Sequence, residues 1–460
     1  MPKKIKNCII FAAVLMLLSA TASMAFAQSA EGMAGEALLH RQAIITLIVL
    51  AVAAFLFITE LIPLAVTSMC IPVVLTLSGV ISDKEAFNGL ANSNVVLFAG
   101  MFVVGAALFE TGVAKWIGDK VVSMAHGSEI LLTLGVMLLT AVLSSVLSNT
   151  GTVAVLLPVC IGIADSAGFN RGKLLMPLAM MASLGGMISL VGTPPNVTVN
   201  TVLETFGEQT FGFFEFAWIG LPLTIIGAVY LLTLGRKLLP EGNRLIDDSA
   251  VHHEGHRHYK RSKQIISATI LLGVVIVMAT EIVPLHVAAV AGAMLCVITG
   301  TISEKQAYHS IDWTTIFLFA GTLSLATALE KTGAGSMIAD AVISVVGQST
   351  SPYVLVTALF FLSGILTQFM SNTASCALLA PIGLQIAYGL GANPHAILMT
   401  IGIAASSAFV TPIATPPNTL VLGPGGLKFM DYVKIGLPLL IISYLVCVII
   451  IPWKWPFYPV

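Results

Sequence analysis

Apolar runs of membrane-crossing length follow one another along this chain, parted by short polar clusters, and the order of runs and clusters is written twice. The first pass predicts full helices over about 41–59 and 63–82, then a third over about 94–118. A hairpin broken at its tip follows, then a helix interrupted at Gly192 to Asn196 ("GTPPN") and a closing helix over about 215–234. The second pass predicts the same series over about 265–281, 284–302 and 313–340. It adds a second broken hairpin, a second interruption at Ala414 to Asn418 ("ATPPN") and a last helix over about 431–451. A helical span needs about 20 apolar residues, and the chain holds roughly ten such windows.

The two passes keep one register. Thr59 pairs with Thr280, Pro63 with Pro284, Ser82 with Ser303, Phe98-Ala99-Gly100 with Phe319-Ala320-Gly321, and Thr111-Gly112 with Thr332-Gly333, each pair 221 positions apart. Two polar triplets, Ser148-Asn149-Thr150 and Ser371-Asn372-Thr373, pair at 223, and the two Thr-Pro-Pro-Asn runs pair at 222. The closing "IGLP" at Ile219 and Ile435 pairs at 216, which assigns the extra residues of the first pass to the loop before its last helix. Such a register marks an internal repeat. With each hairpin entering and leaving on one side, a unit has five true spans, and an odd number turns the second copy over. The expected fold class is therefore an all-α polytopic membrane protein of two inverted repeats with re-entrant helical hairpins, its site near the bilayer midplane between discontinuous helices.

Composition agrees with a membrane protein: of 460 residues, 57% are hydrophobic and 9% charged, and the mean hydropathy is +0.97. The net charge of -1 points to no particular partner. Cys8, Cys70, Cys160, Cys296, Cys376 and Cys447 are scattered through apolar segments without paired spacing, and read as packing residues. Residues 1–30 begin with Lys3, Lys4 and Lys6, continue apolar and reach Ala25-Phe26-Ala27. A cleaved signal and a retained first span both fit, and retention is the reading taken. The first repeat is assigned to 40–235 with its hairpin over about 130–160, and the second to 264–460 with its hairpin over about 353–385. Between them, residues 236–263 form a linker. The polar stretch from Gly235 to Gln264 holds Arg236, Lys237, Arg244, Arg257, Lys260, Arg261 and Lys263, so it is expected on the cytoplasmic side. Its histidines, His252, His253, His256 and His258, read as part of a solvated linker.

The polar triplets are the candidate chemistry. An interrupted helix is tolerated in a membrane only where its freed backbone groups face protein or a watery cavity. Ser, Asn and Thr cap helix N-termini, and here they precede "GTVAVLL" and "ASCALLA". Thr193 and Thr415, each followed by Pro, are also read as helix caps. Four positive helix ends would then converge on one anion site. Between Ile130 and Asn200 the only charged residues are Asp165, Arg171 and Lys173, and between Tyr353 and Met430 the only one is Lys428. No cationic side chain is placed to neutralise a buried anion, so bound cations are the simplest source of positive charge. Backbone carbonyls with Asn, Ser and Thr oxygens suit sodium. A proton relay needs titratable groups in the membrane, and the hairpin regions offer only Asp165 and His395, both in expected loops. Glu60 and Glu281 at helix ends, with Glu110 and Glu330 ahead of the Thr-Gly pairs, read as interfacial or structural. A channel needs a continuous pore and would gain nothing from two cation half-sites, and an intramembrane enzyme needs a nucleophile with a base or a metal set, for which no HExxH or paired aspartates appear; the expectation is a carrier.

The paired Ser-Asn-Thr and Thr-Pro-Pro-Asn motifs, with the terminal "GPGGLKFMDYVKIGLP", resemble the divalent anion:sodium symporter family, solute carrier family 13. The likeness runs from about residue 40 to the end. It implies a homodimer with a scaffold domain and a transport domain moving as an elevator in the inner (cytoplasmic) membrane. It also implies sodium-coupled import of C4-dicarboxylates such as succinate, malate and fumarate, with citrate, sulfate or exchange in some branches. Carried over by motif, one sodium site involves Ser144, Ser148, Asn149 and Gly192, and its mate Thr367, Met370 through its carbonyl, Asn372 and Ala414. The substrate would meet Asn149, Thr150, Thr193, Asn372, Thr373 and Thr415, with Pro194 and Pro416 lining the site. The chain departs from the family pattern at Gly151-Thr152, where alanine is expected, and at Gln368. The implied partners are thus a small dianion, sodium, membrane lipid and a second copy, with no nucleic acid and no cofactor beyond sodium as co-substrate.

Overall fold

The computed structural model describes residues 35–124, 128–239, 259–346 and 351–458. The N-terminal segment 1–30, most of the basic linker with its histidines, and Val460 lie outside them. The described residues form helices and no strand. We number the principal helices α1 (Gly35–Thr59), α2 (Leu64–Leu77), α3 (Ser93–Glu110), α4 (Val113–Met124), α5 (Glu129–Ser144), α6 (Asn149–Ala167), α7 (Arg171–Gly186), α8 (Pro194–Thr205) and α9 (Ala217–Tyr230). The second half continues as α10 (Arg261–Thr280), α11 (Leu285–Ile298), α12 (Trp313–Lys331), α13 (Ala334–Val346), α14 (Pro352–Leu366), α15 (Asn372–Leu390), α16 (Pro394–Ser406), α17 (Pro416–Leu422) and α18 (Phe429–Lys454). The nine elements of each half recur in one order.

Seven of the described helices are long and apolar enough to cross a membrane, fewer than the roughly ten windows expected from hydropathy. The difference lies in shorter apolar helices: α2 and α11, expected as full helices over 63–82 and 284–302, stop at Leu77 and Ile298, and α5, α14 and α16 stop at Ser144, Leu366 and Ser406. Burial divides the bundle. Only 17% of the apolar window in α10 is buried, against 78% in α15, so α10 is an outer helix and α15 an inner one. Around α7 and α16, whose residues are almost all buried, the hairpins α5–α6 and α14–α15 pack to make the core.

Two expectations need correction. The third helix of each half is not continuous over 94–118 or 313–340. It ends at Glu110 and at Lys331, and a new helix starts at Val113 and at Ala334. The matched Thr-Gly pairs are the break: Gly112 and Gly333 have φ of 76° and 72°, a left-handed conformation that ends a helix and that glycine adopts without a Cβ penalty. The extra length of the first half also lies partly in helix, since α8 has 12 residues and its counterpart α17 has 7.

The repeated Phe-Ala-Gly has a packing role. Helix α3 packs on α11 and α12 on α2, so each half lends its third helix to the other half's second. A Cβ on Gly100 would lie 2.8 Å from the Ala289 carbonyl carbon, and one on Gly321 2.6 Å from that of Ser68. Ser68 Oγ donates across this second contact to Phe317 O at 2.8 Å. Gly100→Val and Gly321→Val are therefore each expected to destabilise the protein by about 1–3 kcal/mol through overpacking. Gly273→Ala, where no heavy atom lies within 4 Å, should not. Thermal unfolding in detergent checks this, and an unchanged midpoint for Gly100→Val would refute the close-contact account.

Candidate functional site

The triplets begin helices. Ser148 is the N-cap of α6 and its Oγ accepts from Gly151 N–H at 3.1 Å; Ser371 caps α15 and accepts from Ala374 N–H at 3.2 Å. That leaves the N–H groups of Asn149, Thr150, Asn372 and Thr373 in the first turns, where no intrahelical acceptor is available. Pro158 and Pro381 lie inside the same helices, beyond these turns.

The interrupted helices end differently. Thr193 and Thr415 stand at the N-cap positions of α8 and α17 in extended conformation, but neither side chain makes a cap hydrogen bond. Their expected capping role is thus corrected. Prolines occupy the first two positions of both helices and have no N–H to be capped. The next N–H groups are already used, Asn196 donating to Thr193 O at 3.2 Å and Asn418 to Thr415 O at 3.1 Å. Four helix ends converge, but only the two triplet ends carry free N–H donors. Thr193 Oγ1 is buried with no partner, a group that would cost about 1–3 kcal/mol left unpaired.

These ends surround a cavity of ≈ 480 Å³. It gathers Ser148, Asn149, Thr150, Gly192, Thr193 and Pro194 from the first half, and Ser371, Asn372, Thr373, Ala414, Thr415 and Pro416 from the second. Ser144, Thr367 and Met370 do not line it. Ser144 and Thr367 are fully buried behind the asparagines, and the Met370 side chain sits in an apolar cluster with Ala374 and Ala377, which leaves only its main chain for polar contact.

Behind the cavity wall, oxygens outnumber protons. Ser144 Oγ lies 2.6 Å from both Asn149 Oδ1 and Ala182 O, and Thr367 Oγ1 lies 3.0 Å from Asn372 Oδ1 and 2.6 Å from Ala405 O. Each hydroxyl has one proton for two acceptors. With its amide nitrogen turned inward, Asn149 donates to Ser144 Oγ at 2.6 Å, Gly192 O at 3.0 Å and Ala182 O at 3.1 Å. With its oxygen inward, the same atoms form an all-oxygen cluster that a small hard cation would satisfy.

The opposite wall was not anticipated from sequence. It comprises Leu64, Phe98, Phe102 and Leu318, and a polar edge of Ser310, Asp312, Thr314 and Thr315 at the start of α12. Phe98 and Phe102 meet edge to face with centroids 4.7 Å apart. Asp312 is the one charged residue among the described lining residues, and it caps α12: Oδ1 accepts from Thr314 N–H at 3.1 Å and Oδ2 from the Thr315 hydroxyl at 2.6 Å. Among the described residues, no lysine or arginine lines the cavity.

The departures from the family pattern find explanations. A Cβ at residue 151 would lie 2.6 Å from the Phe109 ring, so glycine accommodates Phe109. Gln368 is buried and outside the cavity lining; Nε2 donates to Gly364 O at 2.7 Å and Ser407 O at 3.0 Å, and Oε1 accepts from Val410 N–H at 2.9 Å. Asp165 lies in α6 and pairs with Arg171 at 2.6 Å, while His395 begins α16 with Nε2 2.7 Å from Gln209 O. Both are helical rather than in loops, and neither lines the cavity. Glu60 and Glu281 close α1 and α10 with φ of 47° and 52°, and Glu110 accepts from Gln306 Nε2 at 2.9 Å.

A nonpolar helical bundle with a cavity between broken helices, lined by helix ends and hydroxyls and by none of the described lysines or arginines, fits a multi-pass membrane transporter. The family model described as citrate transporter (CitMHS) matches residues 54–392 and 369–458, and the chain belongs to that family. An uncharacterized transporter of Haemophilus influenzae is 32% identical over 88% of this chain and 89% of its own length. The sodium-dependent dicarboxylate transporter SdcS of Staphylococcus saprophyticus is 24% identical over 87% of this chain and 84% of its own, consistent with the likeness to the divalent anion:sodium symporters. Among solved structures, the YdaH transporter of Alcanivorax borkumensis shares the fold with a TM-score of 0.61, at 18% identity over 81% of this chain and 88% of that one.

The unpaired threonine separates binding from stability. Thr193→Val removes no hydrogen bond of the empty protein, so its thermal midpoint should be unchanged or raised. Ser371→Ala deletes a cap and should cost about 1 kcal/mol. Thermal unfolding of both variants without ligand checks the contrast. A clear loss for Thr193→Val would mean that its hydroxyl has a structural partner.

Proposed function

We propose that this protein is a sodium-coupled symporter of C4-dicarboxylates such as succinate, malate and fumarate. The observation that carries the reading is the cavity's composition: two matched half-sites of oxygens and helix-end N–H groups, without a lysine or arginine. A dianion brought there leaves water for hydroxyls and amides alone, and an isolated buried charge costs far more than such bonds return. Sodium supplies the missing charge. One ion would be held by Ser144, Ser148, Asn149 and Gly192, the other by Thr367, Met370 O, Asn372 and Ala414. The substrate carboxylates would meet Asn149, Thr150, Thr193, Asn372, Thr373 and Thr415, with Pro194 and Pro416 against the carbon chain. The dicarboxylate relatives support the sodium assignment.

The same reading takes 40–235 and 264–460 as inverted repeats joined by a cytoplasmic linker over 236–263, in an inner-membrane homodimer whose hairpin domain moves as an elevator against a scaffold. Lys263 would then face the cytoplasm and Tyr458 the outside. Labelling of single cysteines at these positions, with the native cysteines removed, tests this topology; equal access from one side would rule out the five-span unit.

Citrate is the second reading, favoured by the family model's description. Asp312 argues for a dianion instead, because its carboxylate on the cavity wall would repel a third negative charge. Liposomes with radiolabelled succinate, citrate or sulfate, with and without an inward sodium gradient, decide among them. Succinate uptake should follow sodium, and each ligand should tighten binding of the other by the same factor. Asn149→Ala and Asn372→Ala should abolish coupled uptake while the protein still folds. Thr150→Val and Thr373→Val each delete a donor to a charged group, worth roughly 1.5–3 kcal/mol, which is about a tenfold or greater loss of affinity. Undiminished uptake by the wild type without sodium would sink the coupling claim.

A further inference from the structure

The half-sites match in motif but not in bracing. In each, a hydroxyl from the hairpin tip donates to the broken helix, Ser144 to Ala182 O and Thr367 to Ala405 O, both at 2.6 Å. A hydroxyl from each unwound segment donates back to the tip, Ser189 to Ser145 O and Thr411 to Gln368 O. There the likeness stops. Where the first tip has Ser145, whose Oγ donates within its own helix to Val142 O, the second has Gln368. The Gln368 amide adds two links across the gap, one to Ser407 O at 3.0 Å and one from Val410 N–H at 2.9 Å.

The unwound segments differ in the same sense. In the second, Asn418 Nδ2 donates to Ala408 O at 2.9 Å and Thr411 O at 3.0 Å, and Thr419 Oγ1 to Pro412 O at 2.8 Å. In the first, Asn196 Nδ2 makes one such bond, to Ser189 O at 2.8 Å, besides a main-chain tie from Leu190 N–H to Phe213 O at 2.9 Å and, with its amide nitrogen inward, the Asn149 bond to Gly192 O at 3.0 Å. Outside the flanking helices, the first segment, residues 187–193, includes Gly192, whereas 407–415 contain no glycine and carry Pro412. Glycine raises and proline lowers the conformational freedom that a segment loses when it is ordered.

From this asymmetry, and resting on the sodium-coupled reading above, we infer that Gln368 is a positioning residue that preforms the second cation half-site, while the first half-site is ordered by its ion. The second site therefore takes sodium at little ordering cost, and the first couples binding to a change in its segment.

Two measurements test it. The first is sodium-dependent succinate uptake by the wild type and by Gln368→Met, which preserves length and deletes all three amide bonds. Half-maximal sodium should rise about tenfold or more, as expected when bonds worth about 1 kcal/mol each are lost. The rate at saturating sodium should be retained, which a purely structural lesion would not permit. An unshifted sodium requirement in a sodium-dependent protein overturns the inference alone; a wild type indifferent to sodium overturns the coupling reading and the inference with it. The second uses the unmodified protein and needs no variant to fold. Hydrogen–deuterium exchange with and without sodium should show slowing concentrated in residues 185–193 and little change in 407–415. Equal slowing in both, or more in 407–415, refutes the proposal.

Discussion

A helix interrupted in an apolar interior leaves carbonyls that no water can reach, and the rest of this structure depends on how they are answered. Ser144 and Thr367 tie the hairpin tips to these breaks, each with a 2.6 Å bond, to Ala182 O one turn inside the end of α7 and to Ala405 O at the end of α16. Hydroxyls at the hairpin tips are the shortest side chains able to do this. They bring the hairpin tips close enough for the following asparagines to meet the same hydroxyls. Without these ties the breaks would be unpaired polar groups in a nonpolar medium, costing several kcal/mol each. With them, the breaks become the walls of a cavity.

Answering carbonyls with hydroxyls leaves a surplus of acceptors. The Thr367 hydroxyl satisfies one oxygen and faces a second, as does that of Ser144 when the Asn149 oxygen is turned inward. A protein made only for stability would fill such a place with apolar side chains. On the proposed reading, retaining the oxygens, with Thr193 Oγ1 unpartnered among the described residues, is the cost of a site that ligands complete.

Much of this was legible in the sequence because repetition exposes it. One triplet in one helix is ordinary packing; two in register, each followed by Thr-Pro-Pro-Asn, predict two breaks, and the cavity gathers both. The Thr-Gly pairs were seen but not read as breaks, because both flanks are helical by pattern and a left-handed glycine leaves no trace in hydropathy. The wall with Asp312, Thr314 and Thr315 was missed for another reason: it joins the site only through tertiary packing of α12, and its residues look like any helix start. Gln368 was flagged as a neighbour of the site, yet its side chain turns away from the cavity to brace the main chain, a direction that spacing cannot convey.

The proline pairs bear on why an anion site would be built in this way. Four helix N-termini with free N–H groups would hold a dianion tightly by themselves, as helix ends do for phosphate. A symporter needs the opposite, since a substrate bound without its ion would cross uncoupled. Pro194, Pro195, Pro416 and Pro417 remove the N–H groups from two of the four ends, and the next ones are spent on Thr193 O and Thr415 O. What remains is two helix ends with free N–H groups in place of four, and no fixed positive charge from the described lining residues. On the proposed reading the shortage is functional: the anion is held well only when cations stand behind the asparagines, and coupling follows from donors withheld as much as from ligands supplied.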